Sequence, residues 1–488
     1  MPQHEHSRPT LPGVLPDGQV HRKRTRLRAV LGAVAMALLT AGPLSAATFT
    51  VNSTADTDDG VCGRGPAECT LREAIIAAVA TAGRDTIRFD AAVFAAGSES
   101  VRILVGQLPI IADPAGTVID GAGASFRIQG STMASGLVFA SAPDAPLGKV
   151  TVANVAVEGF GNHGVHICGG VPPECDADVT GALVRNVVAV NCEGSGIRVE
   201  GRVNKKPRVL GSVTFGTGGD GIRLSGSREM IGARVESSTA TRATGSGIAL
   251  RAERQTGSVV RDSIGLKSVL DGIELSDDGA TVKPTITDVV AFGNRAGIAM
   301  HNYELIAPTI TNAMTSGNEV GVKVLVNASA AVTLSSIVAD ANAIHGVTIE
   351  GGGGMTITRT RAVANTYDGI ATESSVDVDV SDTTAVANTI GVALASSNGV
   401  VTRVHAGANW NHGIEVFAPG DNQVVQNLTL GNGFYSSGVL IAPGSGGNTV
   451  RANVSLGHIY DLFDDNTDCG TNLWAADVFT GGASPCIR

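Results

Sequence analysis

The chain has 488 residues, of which 63 are glycine and only 16% are charged, and its formal net charge is −10. This composition predicts many tight turns between short aliphatic strands rather than an average globular domain. The acidic balance argues against nucleic-acid binding. It also argues against binding of polyanionic glycans, unless a cation or a local basic patch bridges the charges.

Residues 1–47 have the layout of an export signal. A basic stretch from His21 to Arg28 precedes an apolar run from Ala29 to Ala41, and small residues follow. This order predicts a signal peptide that is cleaved after Ala46 or Ala47. The apolar run is short for a bilayer span, which favours the signal peptide over the alternative, an uncleaved anchor. We therefore expect a secreted or cell-surface protein with no membrane span after cleavage.

Residues 48–83 hold a helix signal behind an acidic loop. In the string Cys69-Thr-Leu-Arg-Glu-Ala-Ile75, Thr70 and Glu73 have the spacing of a capping box. The residues on the apolar face of the predicted helix are Leu71, Ala74, Ile75, Ala78 and Val79. An amphipathic helix here is expected to cap the open end of the strand stack that follows. A catalytic role for Arg72 and Glu73 is the alternative.

The same string resembles the CSLREA domain, which is found at the N-terminus of secreted bacterial right-handed parallel β-helix proteins. Thr70 stands where that motif usually has serine. The resemblance implies that residues 48–83 form a CSLREA-like N-terminal cap and that a β-helix follows.

From residue 150 to 462, a glycine followed by aliphatic, any residue and aliphatic recurs every 22 to 32 residues. The repeat glycines are Gly164, Gly196, Gly221, Gly247, Gly272, Gly297, Gly321, Gly346, Gly369, Gly391, Gly413 and Gly438. Each copy holds short alternating runs without a helical period, which are typical of strands. The copies lack a leucine-rich scaffold and are shorter than a propeller blade. We therefore predict an all-β fold, a right-handed parallel β-helix over residues 84–462.

Two further features of the repeat are expected to be structural. Each repeat glycine is predicted either to need a positive φ or to approach the neighbouring coil closely. A row of asparagines is predicted to form a turn ladder, since asparagine tolerates the left-handed conformation and binds backbone groups locally. A polar binding row is the alternative. The asparagines are Asn294, Asn318, Asn342, Asn365, Asn388, Asn409 and Asn432.

The chain has seven cysteines, which in an exported protein indicates disulfides and one cysteine left over. Their spacing suggests the pairs Cys62–Cys69, Cys168–Cys175 and Cys469–Cys486. Cys192 is then unpaired, although it is also placed to compete for Cys168. The last pair, around a buried Trp474, predicts a disulfide-closed C-terminal cap over residues 463–488, which resembles the closing segment of the same family.

We expect no organic cofactor. Calcium is considered because two acidic runs are dense in carboxylate oxygens, one at Asp56 to Asp59 and one near the C-terminus. The C-terminal candidates are Asp461, Asp464, Asp465 and Asp468. Solvated acidic turns are the alternative interpretation of both runs.

Charged residues on the outward face cluster in the middle coils. Alternate residues of a strand face outward, so the outward positions can be read off the sequence after each repeat glycine. If the chain is an enzyme, its catalytic groups are expected to be Glu274, Asp277, Asp278, His301 and Arg251. Ordinary cross-strand salt bridges, such as Arg251 with Glu274, are the alternative.

The predicted function is a secreted or cell-surface β-helix acting as a non-enzymatic binding, adhesion or structural module. We expect a monomer whose partner is a glycan or a cell-surface component, and no nucleic acid. The alternative is a polysaccharide lyase, hydrolase or epimerase that acts on an extracellular glycan through the middle coils. This alternative rests on a resemblance of fold alone, and a fold does not determine function.

Overall fold

The computed structural model describes residues 46–62, 68–95, 99–130, 134–433 and 436–487. The predicted signal peptide, apart from its last two residues, lies outside the described residues. Within the described ranges, no helix is long and apolar enough to cross a membrane. The described helices are α1, at Leu71–Ala80, and a single 3-10 turn, at Thr467–Cys469.

All other regular structure in the described chain is β-strand. In chain order the strands are Thr48–Val51, Thr86–Phe89, Glu99–Arg102, Val118–Asp120, Phe126–Gln129, Leu137–Phe139, Thr151–Ala153, Ala156–Glu158, Val165–Cys168, Val179–Thr180, Leu183–Arg185, Val188–Val190, Ile197–Lys205, Arg208–Leu210, Val213–Phe215, Ile222–Ile231, Arg234–Glu236, Thr239–Thr241, Ile248–Thr256, Val259–Arg261, Ile264–Leu266, Ile273–Ser276, Ala280–Val282 and Thr285–Phe292. They continue as Ala296–Ile306, Thr309–Ser316, Val320–Ala330, Thr333–Ser335, Val338–Asp340, Val347–Glu350, Gly353–Thr358, Arg361–Val363, Ile370–Ser381, Thr384–Val386, Val392–Ser397, Val400–Thr402, His405–Gly407, Ile414–Val416, Gln423–Val425, Leu428–Leu430, Ser437–Ile441, Thr449–Arg451, Val454–Leu456, Tyr460–Asp464, Leu473–Ala475, Val478–Phe479 and Gly482–Ala483.

These strands wind into coils with three faces. In one coil, the strand that begins at Ile197 follows a repeat glycine and lies on face I. Arg208–Leu210 lies on face II and Val213–Phe215 on face III. Each of the three pairs in parallel with the equivalent strand one coil further along the chain. The molecule is therefore a parallel β-helix.

The stack runs beyond the bounds predicted for it. The first strand, Thr48–Val51, pairs in parallel with Thr86–Phe89, so coil stacking already begins at residue 48 and not at residue 84. At the other end, Leu473–Ala475 pairs with Thr449–Arg451, so the segment predicted as a separate cap also adds strands to the stack. Both segments contribute strands to the solenoid.

The core is a set of aliphatic columns inside the coils. The residue after each repeat glycine is completely buried and stacks on its equivalent in the next coil. On face I this column comprises Val165, Ile197, Ile222, Ile248, Ile273, Ile298, Val322, Val347, Ile370, Val392, Ile414 and Val439. Burial of apolar surface along this axis is the main source of stability.

The repeat glycines are required by close packing and not by their dihedral angles. None of them has a positive φ, so that part of the prediction is wrong. The other part is confirmed at Gly297, where an added Cβ would lie 2.6 Å from the carbonyl oxygen of Gly321 and 2.9 Å from Nδ2 of Asn318. The neighbouring coil therefore fills the space that a side chain would need.

The asparagine row forms the structural ladder that was predicted. The backbone N–H and Nδ2 of Asn294 donate to Oδ1 of Asn318 at 2.9 and 3.0 Å, and Nδ2 also donates to the carbonyl of Gly265. The same pattern repeats to Asn432, where Nδ2 contacts Nε2 of His458 at 2.9 Å. Since every member is buried and hydrogen-bonded along the stack, the ladder is not available as a binding row.

The N-terminal helix has the capping box that its sequence predicted. Leu71, Ala74, Ile75 and Ala78 are fully buried against the first strands, whereas Val79 is 37% exposed and lies outside the buried face. The helix thus lies against the first coils, and its apolar face is narrower than predicted.

Arg72 and Glu73 have structural roles, which is evidence against the catalytic alternative. Glu73 completes the capping box and accepts the backbone N–H of Asp59 at 3.1 Å. Arg72 donates to both carboxylate oxygens of Asp56, at 2.8 and 3.1 Å, in a buried ion pair. Burial alone would raise the pKa of Asp56, but Arg72 and two backbone N–H groups outweigh it and lower that pKa.

The three predicted disulfides are present, and Cys192 is a buried free thiol. The C-terminal bridge, Cys469–Cys486, closes the last turn. Trp474 is half-buried rather than buried, and its Nε1 donates to Oδ2 of Asp464 at 2.8 Å. The closing segment is therefore held by polar contacts as well as by the bridge.

Candidate functional site

The register of face I brings the predicted middle-coil residues together. Ser225, Arg251, Ser276 and His301 are paired on consecutive coils. A second column, two residues closer to the repeat glycine, runs Arg198, Arg223, Ala249 and Glu274. Both columns face outward as the strand alternation predicted. Side chains from five coils therefore share one surface.

This surface forms a groove of 500 Å³, which we call the central groove. Four of the five predicted catalytic candidates line it, namely Arg251, Asp277, Asp278 and His301. Glu274 does not line the groove but binds Arg251 beside it. Residues that were not among the candidates, including Glu200, Arg223 and Ser225, also line it.

Arg251 and Glu274 form a tight ion pair. Nε and Nη2 of Arg251 donate to the two Glu274 oxygens at 3.0 and 2.6 Å. The same guanidinium donates to Asp220 at 2.9 and 3.2 Å. Burial would raise the pKa of Glu274, but Arg251 and two serine hydroxyls hold it at about 2. Glu274 is therefore an ionised, fully bonded carboxylate, which is a poor proton donor or acceptor.

Asp277 is also hydrogen-bonded, both to its own turn and to the next coil. Its carboxylate accepts hydrogen bonds from the Thr281 hydroxyl, from Nδ2 of Asn302 and from the backbone N–H of Tyr303. Burial, with a smaller contribution from the charge of Asp278, raises the pKa of Asp277. Asp278 itself is exposed to solvent. The two adjacent carboxylates thus differ in environment, and only Asp278 is free to meet a ligand.

Arg223 is the cation that lacks a close partner. Within the described residues, its nearest carboxylate is that of Asp220 at 3.8 Å, and its buried Nε has no hydrogen-bond partner. Burial, then the charges of Arg198 and Arg251, lower the pKa of Arg223. Nε2 of His301 is likewise buried without a partner among the described atoms. The groove therefore presents a partly exposed guanidinium without a close counter-charge among the described residues.

A histidine-rich cluster adjoins the groove at its N-terminal end. Arg198 donates to Glu200 at 2.5 Å and contacts Nε2 of His163 at 3.1 Å, while Nε2 of His166 lies 2.7 Å from Glu200. Burial, followed by the charges of His166 and Arg198, lowers the pKa of His163 to about 3. Sequence reasoning missed His163 because it precedes the repeat glycine and so falls outside the two outward columns that were considered.

Two of the four C-terminal calcium candidates, Asp461 and Asp464, are engaged in hydrogen bonds. Asp461 is buried and accepts from His458, Thr480 and Gly481. Asp464 likewise accepts hydrogen bonds from Asn466, Asn472 and Trp474. Asp465 and Asp468 are exposed. The C-terminal calcium site stays a prediction, and the four carboxylates do not form one cluster of ligands among the described residues.

One other group has the composition of a metal site. His166, Cys168 and Cys175 lie within 4.8 Å of one another, but both sulfurs belong to a disulfide. Disulfide sulfur has no thiolate to offer a metal, so the group does not fit an ion in this state.

Residues 322–477 match the family model described as "Right handed beta helix region". Together with the parallel strand pairing, this confirms the predicted fold: the chain is a right-handed parallel β-helix repeat protein. No curated protein matches the chain.

Solved structures with a related fold have low sequence identity. The periplasmic alginate epimerase AlgG is 13% identical, with 76% of this chain and 78% of that chain covered and a TM-score of 0.37. Pectate lyase Pel9A is 17% identical, with coverages of 59% and 78% and a TM-score of 0.31. Tailspike protein 3 of bacteriophage CBA120 is 11% identical, with coverages of 86% and 57% and a TM-score of 0.42.

Proposed function

We propose that this chain is an exported β-helix protein that binds a glycan in the central groove without converting it. The observation that carries the proposal is the partly exposed guanidinium of Arg223, which lines the groove and has no carboxylate closer than 3.8 Å among the described residues. A ligand oxygen that accepts from this guanidinium gains a charge-assisted hydrogen bond on binding. Sugar hydroxyls can accept from a guanidinium and can donate to or accept from an imidazole nitrogen.

The charges in the groove favour a neutral or sparsely acidic sugar. Exposed carboxylates of Glu253 and Asp278 lie on the same rim as Arg223, so a densely anionic polymer would be repelled. One isolated carboxylate on the glycan would pair with Arg223, whose own partner is distant. Ser225 and Ser276 add hydroxyl groups along the floor.

Binding is favoured over hydrolysis because two of the three candidate carboxylates are occupied. Glu274 is held by Arg251 and two serines, and Asp277 by Thr281 and Asn302. Hydrolysis of a glycosidic bond needs two carboxyl groups that flank one sugar with different protonation states, and of the three candidates only Asp278 is free. The enzymatic alternative, a lyase, hydrolase or epimerase, is an outcome of the same test.

The test is a screen of the purified protein against neutral and acidic oligosaccharides, with calorimetry for binding and chromatography for products. Arg223→Gln is expected to weaken binding by about 1–3 kcal/mol, since it removes a charged hydrogen-bond donor. The matched control is Arg403→Gln, an exposed arginine paired with Asp382 and remote in sequence from the groove. Equal affinities of wild type and Arg223→Gln would contradict the proposal. Product formation that is lost in Glu274→Gln or His301→Ala would establish the enzymatic alternative instead.

Export, and an N-terminal cap of the CSLREA type, belong to the same proposal. They are supported by the three disulfides, which persist in oxidising compartments. The residues of the motif also have structural roles that suit a cap, since Thr70 and Glu73 form the capping box and Arg72 pairs with Asp56. Fractionation of expressing cells, followed by N-terminal sequencing of the mature chain, tests cleavage after Ala46 or Ala47.

A further inference from the structure

A second groove of 780 Å³, which we call the basic groove, lies where face I turns into face II. Five cationic side chains line it, on a chain whose net charge is −10. They are Arg84, Lys149, Lys206, Arg208 and Arg234. All five are exposed, so they can reach a ligand from solvent. This is the local basic patch that the composition alone could not reveal.

The cations are placed at regular intervals along the solenoid axis. Thr86, Val118, Thr151, Leu183 and Arg208 are paired on successive coils of face II. Two residues before them, in the turn, stand Arg84, Gly116, Lys149, Gly181 and Lys206. Cations and glycines thus alternate. With strands about 4.8 Å apart, the turn cations recur every 10 Å or so along the axis.

The glycines keep the groove open between the cations. Built on Gly181, a Cβ would lie 3.7 Å from Cγ of Lys149, and on Gly232 it would lie 3.7 Å from Cγ of Lys206. The lysine stems therefore lie over the glycine positions, and any longer side chain there would fill the groove.

In the basic groove, unlike the central groove, few carboxylates lie close to the cations. Among the described residues, Lys149, Lys206 and Arg208 have no carboxylate within 4.0 Å, and only Arg234 is paired, with Glu236 at 3.2 Å. Arg84 donates to the carbonyl of Lys149 and to the Thr151 hydroxyl. Like charges held close together repel, and a bound anion would relieve that repulsion.

We infer that the basic groove binds a linear acidic polysaccharide that lies along the solenoid axis, with its anionic groups on about every second sugar. The repeat of the turn cations matches a chain in which charged and uncharged sugars alternate. Single-stranded nucleic acid fits less well, because its binding sites stack bases on aromatic side chains and none lines this groove among the described residues. The site is separate from the central groove and does not depend on its ligand.

The test uses hyaluronate oligosaccharides, in which every second sugar is a uronate, at low and at physiological salt. The variant is Lys149→Gln/Lys206→Gln/Arg208→Gln. Each glutamine keeps the Cβ and Cγ methylenes of the residue that it replaces, so the turn at Lys206, which has a positive φ of 54°, gains no β-branched side chain. Affinity is expected to fall at least about tenfold in the variant and to fall with salt in the wild type.

The matched control removes three exposed cations elsewhere, as Arg254→Gln/Lys267→Gln/Arg451→Gln. It is expected to bind hyaluronate as the wild type does. The inference is overturned if the wild type does not bind hyaluronate or binds neutral dextran equally well. It is also overturned if the triple variant at Lys149, Lys206 and Arg208 and the control variant lose affinity alike. Tighter binding of single-stranded DNA than of hyaluronate would also overturn it. Lys206→Gln alone serves as a second variant, with a smaller loss expected.

Discussion

Glu415 gives the sharpest prediction about stability, because it is a buried acid with an unusual pKa. It lies on face I between Ala393 and Leu440 of the adjacent coils, which offer it no hydrogen bond through their side chains. Burial, with a smaller contribution from the charge of Asp368, raises the pKa of Glu415 from 4.5 to about 7. Nearby His412 lies 4.0 Å away and is neutral, since burial lowers its pKa to about 4.

The magnitude follows from linkage. Each pKa unit is worth about 1.4 kcal/mol, so the Glu415 shift corresponds to about 3 kcal/mol. Because the folded pKa of Glu415 is raised, its contribution is present below pH 4.5 and is lost as pH rises through 7. His412 works in the opposite sense: its folded pKa is lowered, so its contribution is present above pH 6.5 and is lost as pH falls through 4. The two dependences oppose each other in the wild type.

The substitution Glu415→Gln separates the pH dependence of Glu415 from that of His412. Its free energy of unfolding is measured with urea at pH 4.5 and pH 8. Relative to the wild type, the variant should gain about 3 kcal/mol in free energy of unfolding between the two pH values. Glu373→Gln, an exposed glutamate on the same face, should show no such change. A difference between wild type and Glu415→Gln that does not depend on pH would contradict this prediction.

Three further predictions concern the fold. Gly297→Val should cost more than about 1 kcal/mol, because its Cβ would meet the next coil, and an unchanged melting temperature would contradict this. Ile75→Asp places a charge in the buried helix face and should cause aggregation or proteolysis, so unchanged protease resistance would count against the cap. Arg72→Met should cost about 3–5 kcal/mol by removing the counter-charge of the buried Asp56 carboxylate. Adding Asp56→Asn should recover part of that loss, and a fully additive loss would show that the pair is not coupled.

The fold could be predicted from the sequence because the repeat is local and regular. Each glycine followed by an alternating aliphatic run fixes which side chains face inward. Stacking then repeats the same arrangement in every coil. The ends of the stack could not be predicted in the same way. Thr48 pairs with Thr86, although α1 and its flanking loops lie between them in the sequence. No periodicity in the sequence indicates a contact over that distance.

The site was predictable only in part. Strand alternation placed Arg251, Glu274 and His301 on one face, and the expected salt bridge between the first two is present. The unpaired state of Arg223 could not be predicted, because it depends on which carboxylates its neighbours engage. The basic groove was missed for a different reason. Its cations are spread from Arg84 to Arg234, and unequal coil lengths hide their alignment until the register is known.

The most direct measurement is a crystal structure of the protein soaked with the neutral oligosaccharide that binds most tightly in the screen. We predict an intact sugar in the central groove, with a ligand oxygen within hydrogen-bond distance of the Arg223 guanidinium. A central groove without sugar, or one that holds cleaved or epimerised product, would contradict this prediction.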